Sequence, residues 1–202
     1  MTTSDSPVSP GKVAAVILAA GPSSRMGRPK LSLTHQGMPL IRRAVTAAVD
    51  GGCDEVIVVV GAAADEYASL LAGLPVRIVR NPHFETGMGG SIQVGVEAVS
   101  DDMQAAVIML ADQAFVDGAV VRRLIDTYRE SGKRIITSQY GTVRGAPTLF
   151  DRALFLELLV LQDDQGARAV VQTYPRHVAT VDIPPETARD IDTPDDLRYL
   201  DQ

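Results

Sequence analysis

Residues Val13 to Leu18 form an unbroken apolar run rich in β-branched side chains, and the chain then turns abruptly to small residues and fixed cations. The run predicts a buried strand. Ala19, Ala20, Gly21 and Gly27 keep side chains out of the way, so backbone N–H groups after the strand can approach an anion. Pro22 and Pro29 restrict the loop. Arg25, Arg28 and Lys30 gather positive charge within six residues of a chain whose net charge is −6. A strand feeding a small-residue loop with fixed cations suits a triphosphate. A Gly/Pro surface turn with solvated bases is the simpler alternative. The loop has neither the Gly-x-x-x-x-Gly-Lys-Ser/Thr spacing nor Gly-x-Gly-x-x-Gly.

Further along, apolar runs alternate with helix-period segments. Strands are predicted over Val13–Leu18, Val56–Val60, Val76–Val79, Ala105–Leu110, Arg134–Thr137 and Val178–Ile183. Helices are predicted over Pro39–Val49, Ala63–Leu71, Gly90–Val99, Gly118–Arg129, Ala153–Leu161, Ala167–Tyr174 and Pro194–Leu200, the last capped by Thr193. This alternation implies an α/β fold, a mostly parallel sheet covered by helices, with ligands at the carboxyl ends of its strands. The chain of 202 residues is read as a Ser/Thr/Pro-rich tail expected to be disordered over 1–11 and one domain over 12–202. The acidic balance, with a pI near 5.0, argues against a nucleic-acid surface. One cysteine, Cys53, excludes an intramolecular disulfide and reads as an inert thiol. No apolar stretch suggests a membrane span or signal peptide, so a cytoplasmic location is expected.

The first loop resembles the signature Leu-Ala-Ala-Gly-x-Ser-x-Arg-Met-Gly-x-x-Lys of the MobA-like nucleotidyltransferases, through Leu18, Ala19, Ala20, Gly21, Ser23, Arg25, Met26, Gly27 and Lys30. The Ala-Ala-Gly form looks like the molybdenum cofactor (molybdopterin) cytidylyltransferase branch. The resemblance implies a Rossmann-like three-layer α/β/α fold of the nucleotide-diphospho-sugar transferase type. It also implies that these loop residues bind the nucleotide.

Four later stretches carry the same resemblance in order. Asn81-Pro82 followed by Gly87, Met88 and Ser91 is similar to Asn-Pro-x-x-x-x-Gly-Met-x-x-Ser, which implies a nucleoside site at Asn81, Gly87, Met88 and Ser91. A helix N-terminus capped by Ser91 would explain the same residues. Leu110-Ala111-Asp112-Gln113 places a carboxylate at a strand end, where a cation or solvent must meet it. By resemblance Asp112 is a Mg²⁺ ligand; as a plain helix cap it would need no metal. Ala114 stands where the family has proline. Around Gly145-Ala146-Pro147 the family commonly has Gly-His-Pro, so Ala146 departs where the second substrate would lie. Arg144 could meet an acceptor phosphate. Arg168, in the element Asp164-Gln165-Gly166-Ala167-Arg168, opens a helix where its own dipole disfavours a cation, which suits an anionic partner. Asp190-Ile191-Asp192-Thr193-Pro194-x-Asp196 matches Asp-x-Asp-Thr-Pro-x-Asp, and Asp192, in preference to Asp190, would complete the metal site. Capping explains Thr193 to Asp196 but not Asp190.

These residues imply transfer of a nucleoside monophosphate, with CTP favoured, to a phosphorylated small-molecule acceptor, molybdopterin by resemblance. Arg25, Lys30 and Asp112 are the expected catalytic residues, Mg²⁺ the cofactor, and Arg144 and Arg168 the acceptor contacts. Within the class, sugar-phosphate and alditol-phosphate nucleotidyltransferases share the loop. Outside it stand an accessory nucleotide-binding protein that partners a molybdoenzyme, and an oxidoreductase using NADH.

Overall fold

The structure is a computed structural model, and it describes residues 11–21, 29–162, 164–188, 191 and 196. The first apolar run becomes β1 (Lys12–Ala19), in which Val13 through Ile17 have no solvent exposure. A turn at Lys30–Ser32 leads to a hairpin of β2 (Thr34–His35) and β3 (Met38–Pro39). Then follow α1 (Leu40–Asp50), β4 (Glu55–Val60), α2 (Ala64–Leu70), β5 (Arg77–Arg80), α3 (Met88–Glu97) and β6 (Met103–Leu110). The second half holds α4 (Gly118–Ser131), β7 (Ile135–Tyr140), β8 (Val143–Asp151), α5 (Phe155–Leu159), α6 (Arg168–Thr173) and β9 (Val178–Ile183).

The seven main strands stand in the order β5-β4-β1-β6-β8-β7-β9. All neighbours pair in parallel except β8, which runs antiparallel to both β6 and β7. Alternate side chains of each strand serve opposite faces. Val13, Ala15 and Ile17 of β1 pack with α1 and α4, whereas Ala14 and Val16 pack with α3, α5 and α6. Val56, Val58 and Val60 join the first face and Ile57 and Val59 the second. Burial on both faces is why these strands read as continuous apolar runs, and it produces three layers with a core on each side of the sheet. Gly95 lets α3 approach closely, since a Cβ there would lie 2.3 Å from Val16 Cγ1.

The expected mostly parallel, three-layer α/β/α architecture is the one observed. Strand β8 and the β2–β3 hairpin are additions that the pattern did not predict. The stretch before Asp151 carries Gly145 and Pro147, which read as turn chemistry, yet it pairs as a strand. The helix expected over Ala153–Leu161 divides into a 3₁₀ turn at Arg152–Leu154 and the short α5. The helix expected over Pro194–Leu200, with Thr193, lies outside the described residues except Asp196, as does the tail except Gly11.

Candidate functional site

A cleft of about 460 Å³ opens at the carboxyl ends of β1 and β6. Leu18, Ala19, Ala20 and Gly21 form one wall; Gly87, Met88 and Ser91 at the start of α3 form another; Lys30, Asp112 and Asp164 supply charge. Gly87 turns the chain into α3 with φ of 121°, a conformation that side chains disfavour, and the first turn of that helix borders this space.

Lys30 Nζ donates to Asp112 Oδ2 at 2.7 Å. The two side chains are only 13% and 20% exposed, so the ion pair is shielded from water. Asp112 Oδ1 is buried and has no hydrogen-bond partner among the described residues. A buried carboxylate oxygen facing no donor is a fitting ligand for a cation. The carbonyl of Asp112 accepts from the N–H of the fully buried Ile191 at 3.2 Å and from that of Ala114 at 3.0 Å. Asp112 is therefore not a helix cap; Asp117 caps α4 by accepting from Val120 N. Arg43 of α1 donates to Ala114 O at 3.2 Å, and His35 packs edge-on against Phe115, so the loop after β6 is clamped from the β2–α1 side.

Asn81, only 2% exposed, donates through Nδ2 to Ser91 Oγ at 3.0 Å and accepts at Oδ1 from His83 N at 2.9 Å. Its amide ties the loop to the start of α3. Ser91 is the fourth residue of that helix and makes no cap, so the capping explanation of Ser91 fails.

Beside the cleft lies a second cavity of about 150 Å³. Leu18, Met88 and Leu110 border both. The cavity exists because β8 leaves β6: their pairing stops at Ile108 and Thr148, and Pro147 has no N–H with which to continue it. Arg144, Ala146 and Arg168 line it. Arg144 stands at the start of β8 and Arg168 opens α6, so chain segments distant in sequence bring both expected acceptor contacts to one hollow.

Leu18, Ala19, Ala20, Gly21, Lys30, Gly87, Met88, Ser91 and Asp112 thus share one cleft. Ser23, Arg25, Asp190 and Asp192 lie outside the described residues. Sequence reasoning missed Phe84 and Glu85, which also border the cleft, and the buried Gln113, whose Nε2 donates to Ala146 O at 3.3 Å. Their identity carries no motif chemistry. Gln113 alone could have been found, from its place next to Asp112. Among the described residues no three His, Cys, Asp or Glu side chains cluster as a metal site, and no helix is long and apolar enough to cross a membrane.

The family described as "MobA-like NTP transferase domain" matches residues 15–180. The chain is 32% identical over 198 residues to nicotine blue oxidoreductase of Paenarthrobacter nicotinovorans, covering 93% of this chain and 96% of that protein. It is similar to the crystal structure of Rv0371c from Mycobacterium tuberculosis H37Rv, with a TM-score of 0.84, 30% identity, and 95% and 98% of the two chains covered. The manganese complex of Rv0371c gives a TM-score of 0.76 at 28% identity over 94% of this chain and 97% of that one. A nucleotidyl transferase from Methanothermobacter thermautotroptrophicus superposes with a TM-score of 0.80 at 27% identity, covering 94% and 96% of the chains. The chain spans only 25% of the length of the bifunctional GlmU protein of Clavibacter sepedonicus that it also matches.

Proposed function

The chain belongs to the MobA-like NTP transferase family of nucleotidyltransferases, and from that premise we propose that it transfers CMP from CTP to the phosphate of a small acceptor, molybdopterin by its motifs, in the cytoplasm. The observation that carries this reading is the meeting of Lys30 and Asp112, from the loops after β1 and β6, at one end of a cleft walled by backbone.

An acceptor phosphate is already ionised, so no strong general base is required. One of its oxygens attacks the α-phosphorus, the bond from that phosphorus to the bridging oxygen breaks, and pyrophosphate leaves with the electron pair. Catalysis is alignment and charge neutralisation. Backbone N–H groups of the loop after β1, with Arg25, hold the β- and γ-phosphates. Lys30 moves from Asp112 to the α-phosphate and the acceptor phosphate. Asp112, with its unpartnered Oδ1, would hold Mg²⁺ together with Asp192 or Asp190, which flank in sequence the Ile191 whose N–H donates to Asp112 O. When bound, the ion neutralises phosphate charge and orients the triphosphate. Gly87, Met88 and Ser91, braced by Asn81, bind the nucleoside.

A second reading is favoured by the full-length likeness to nicotine blue oxidoreductase: that this chain is itself an oxidoreductase. Thermal melting with CTP, GTP, ATP, UTP and NADH, each with and without Mg²⁺, separates the two. A specific nucleotide at about 100 times its Kd stabilises by about 2.7 kcal/mol, a shift of several degrees. A Mg²⁺-dependent shift with CTP alone supports cytidylyl transfer. A shift with NADH and none with any triphosphate favours the oxidoreductase.

A further inference from the structure

Gly145, Ala146 and Thr148 of β8 form one wall of the second cavity, and the carbonyls of residues 145–147 are engaged from within the protein. Gly145 O accepts from Thr137 Oγ1 at 3.2 Å and Thr148 Oγ1 at 2.9 Å. Ala146 O accepts from Tyr140 Oη at 2.7 Å and Gln113 Nε2 at 3.3 Å, and Pro147 O accepts from Ser138 Oγ at 2.8 Å. The Thr137 and Thr148 hydroxyls also lie 3.0 Å apart, so their two hydrogens are shared among Gly145 O and each other while their oxygens keep acceptor lone pairs.

What faces the cavity is consequently the apolar surface of Leu18, Ile92, Ile108, Leu110, Ala146 and Val171. The charged groups lining it are two guanidiniums, Arg144 and Arg168, both exposed at its rim in a chain of net charge −6. Such a cavity has donors for an anion and few acceptors: the Gly145 and Ala146 carbonyls are engaged, and the hydroxyl oxygens of Thr137 and Thr148 remain. A ligand with more N–H or O–H groups than these can pair would leave the surplus unpaired, each costing about tenfold in affinity.

We infer that this cavity is a subsite for a compact apolar, donor-poor body carrying an anionic group that Arg144 and Arg168 hold at the mouth. The inference rests on the acceptor reading above only in naming the ligand an acceptor. It selects against sugar and alditol phosphates. A pterin would have to keep its N–H groups away from the β8 wall.

Calorimetric titration with 1-naphthyl phosphate, glucose 1-phosphate and inorganic phosphate tests this, with and without saturating CTP and Mg²⁺. The naphthyl ester should bind about tenfold or more tighter than either of the others. Ala146→Phe, which fills the cavity, and Arg144→Ala/Arg168→Ala, which strips its charge, should each cost about tenfold or more in that affinity. Both should leave the melting shift with CTP in place. Equal or tighter binding of glucose 1-phosphate, undiminished binding in Ala146→Phe, or displacement of the naphthyl ester by CTP overturns the subsite. If CTP fails to bind while the naphthyl ester still follows this pattern, the proposed transfer reaction fails and the subsite stands.

Discussion

Lys30 Nζ and Asp112 Oδ2 lie 2.7 Å apart across 82 residues of sequence, joining the loop after β1 to the loop after β6. The ammonium occupies one oxygen of the carboxylate that would receive a metal ion, while Oδ1 has no hydrogen-bond partner among the described residues. On the proposed mechanism, Lys30 and a divalent cation would compete for one carboxylate until phosphates drew the lysine away.

Lys30→Met removes that competitor. Mn²⁺ titration followed by electron paramagnetic resonance, without nucleotide, should show tighter binding than in the wild type, and Asp112→Asn should lose it. Turnover of Lys30→Met should fall about 10²–10³-fold, as for loss of one preorganised stabilising group. Unchanged Mn²⁺ affinity would remove the idea of competition.

Arg25 lies outside the described residues, but its loop position gives it a clear expected effect. Arg25→Ala should lower turnover about 10²–10³-fold while the melting temperature without nucleotide stays at the wild-type value. Near-normal turnover in both Arg25→Ala and Lys30→Met would sink the mechanism.

Asn81→Ala leaves Ser91 Oγ and His83 N without their buried partner. Stability should drop by about 1–3 kcal/mol, read as an earlier urea midpoint. The KM for the nucleotide should rise as the start of α3 loosens. A variant with wild-type KM would leave Asn81 a purely structural residue.

Gly95→Ala would set a Cβ 2.3 Å from Val16 Cγ1 and 3.0 Å from Val59 Cγ2. Overpacking of this kind costs about 1–3 kcal/mol. Val16→Ala in the same chain should recover part of the loss, because it makes room on β1. If the second substitution only adds to the first, the close approach is not the cause.

Burial pushes the Cys53 thiol up to about 12. The folded chain should react slowly with a disulfide reagent at pH 8 and quickly once unfolded. The sign for stability follows from linkage. The thiol contribution is whole below the ordinary value of 9.0 and is lost as pH rises from there toward about 12, because the unfolded chain releases its proton first. Cys53→Ala should flatten that alkaline loss in a series of urea midpoints.

The parts of the fold that were legible share one cause. β1, β4 and β6 are buried on both faces, so their sequences are continuous apolar runs that need no partner to be recognised. β8 was illegible because Gly145 and Pro147, which look like turn residues, bend it away from β6 and open the second cavity. In the candidate site, Lys30, Asp112, Arg144 and Arg168 were legible as charges with no other use in their local elements. Asn81 was legible as a motif residue, but the structure engages its amide within the protein.

By itself the sequence determined the strand–helix alternation, the family and the chemical types gathered at strand ends. Each is a local property of spacing or residue chemistry. Which ends meet was decided by tertiary structure. The strand order β5-β4-β1-β6-β8-β7-β9 makes β1 and β6 neighbours and so brings Lys30 to Asp112. The reversal of β8 sets Arg144 at the same end of the sheet, where it lines an apolar hollow together with Arg168. Pairing between segments so far apart depends on the packing of the whole sheet against its helices, which no local pattern encodes.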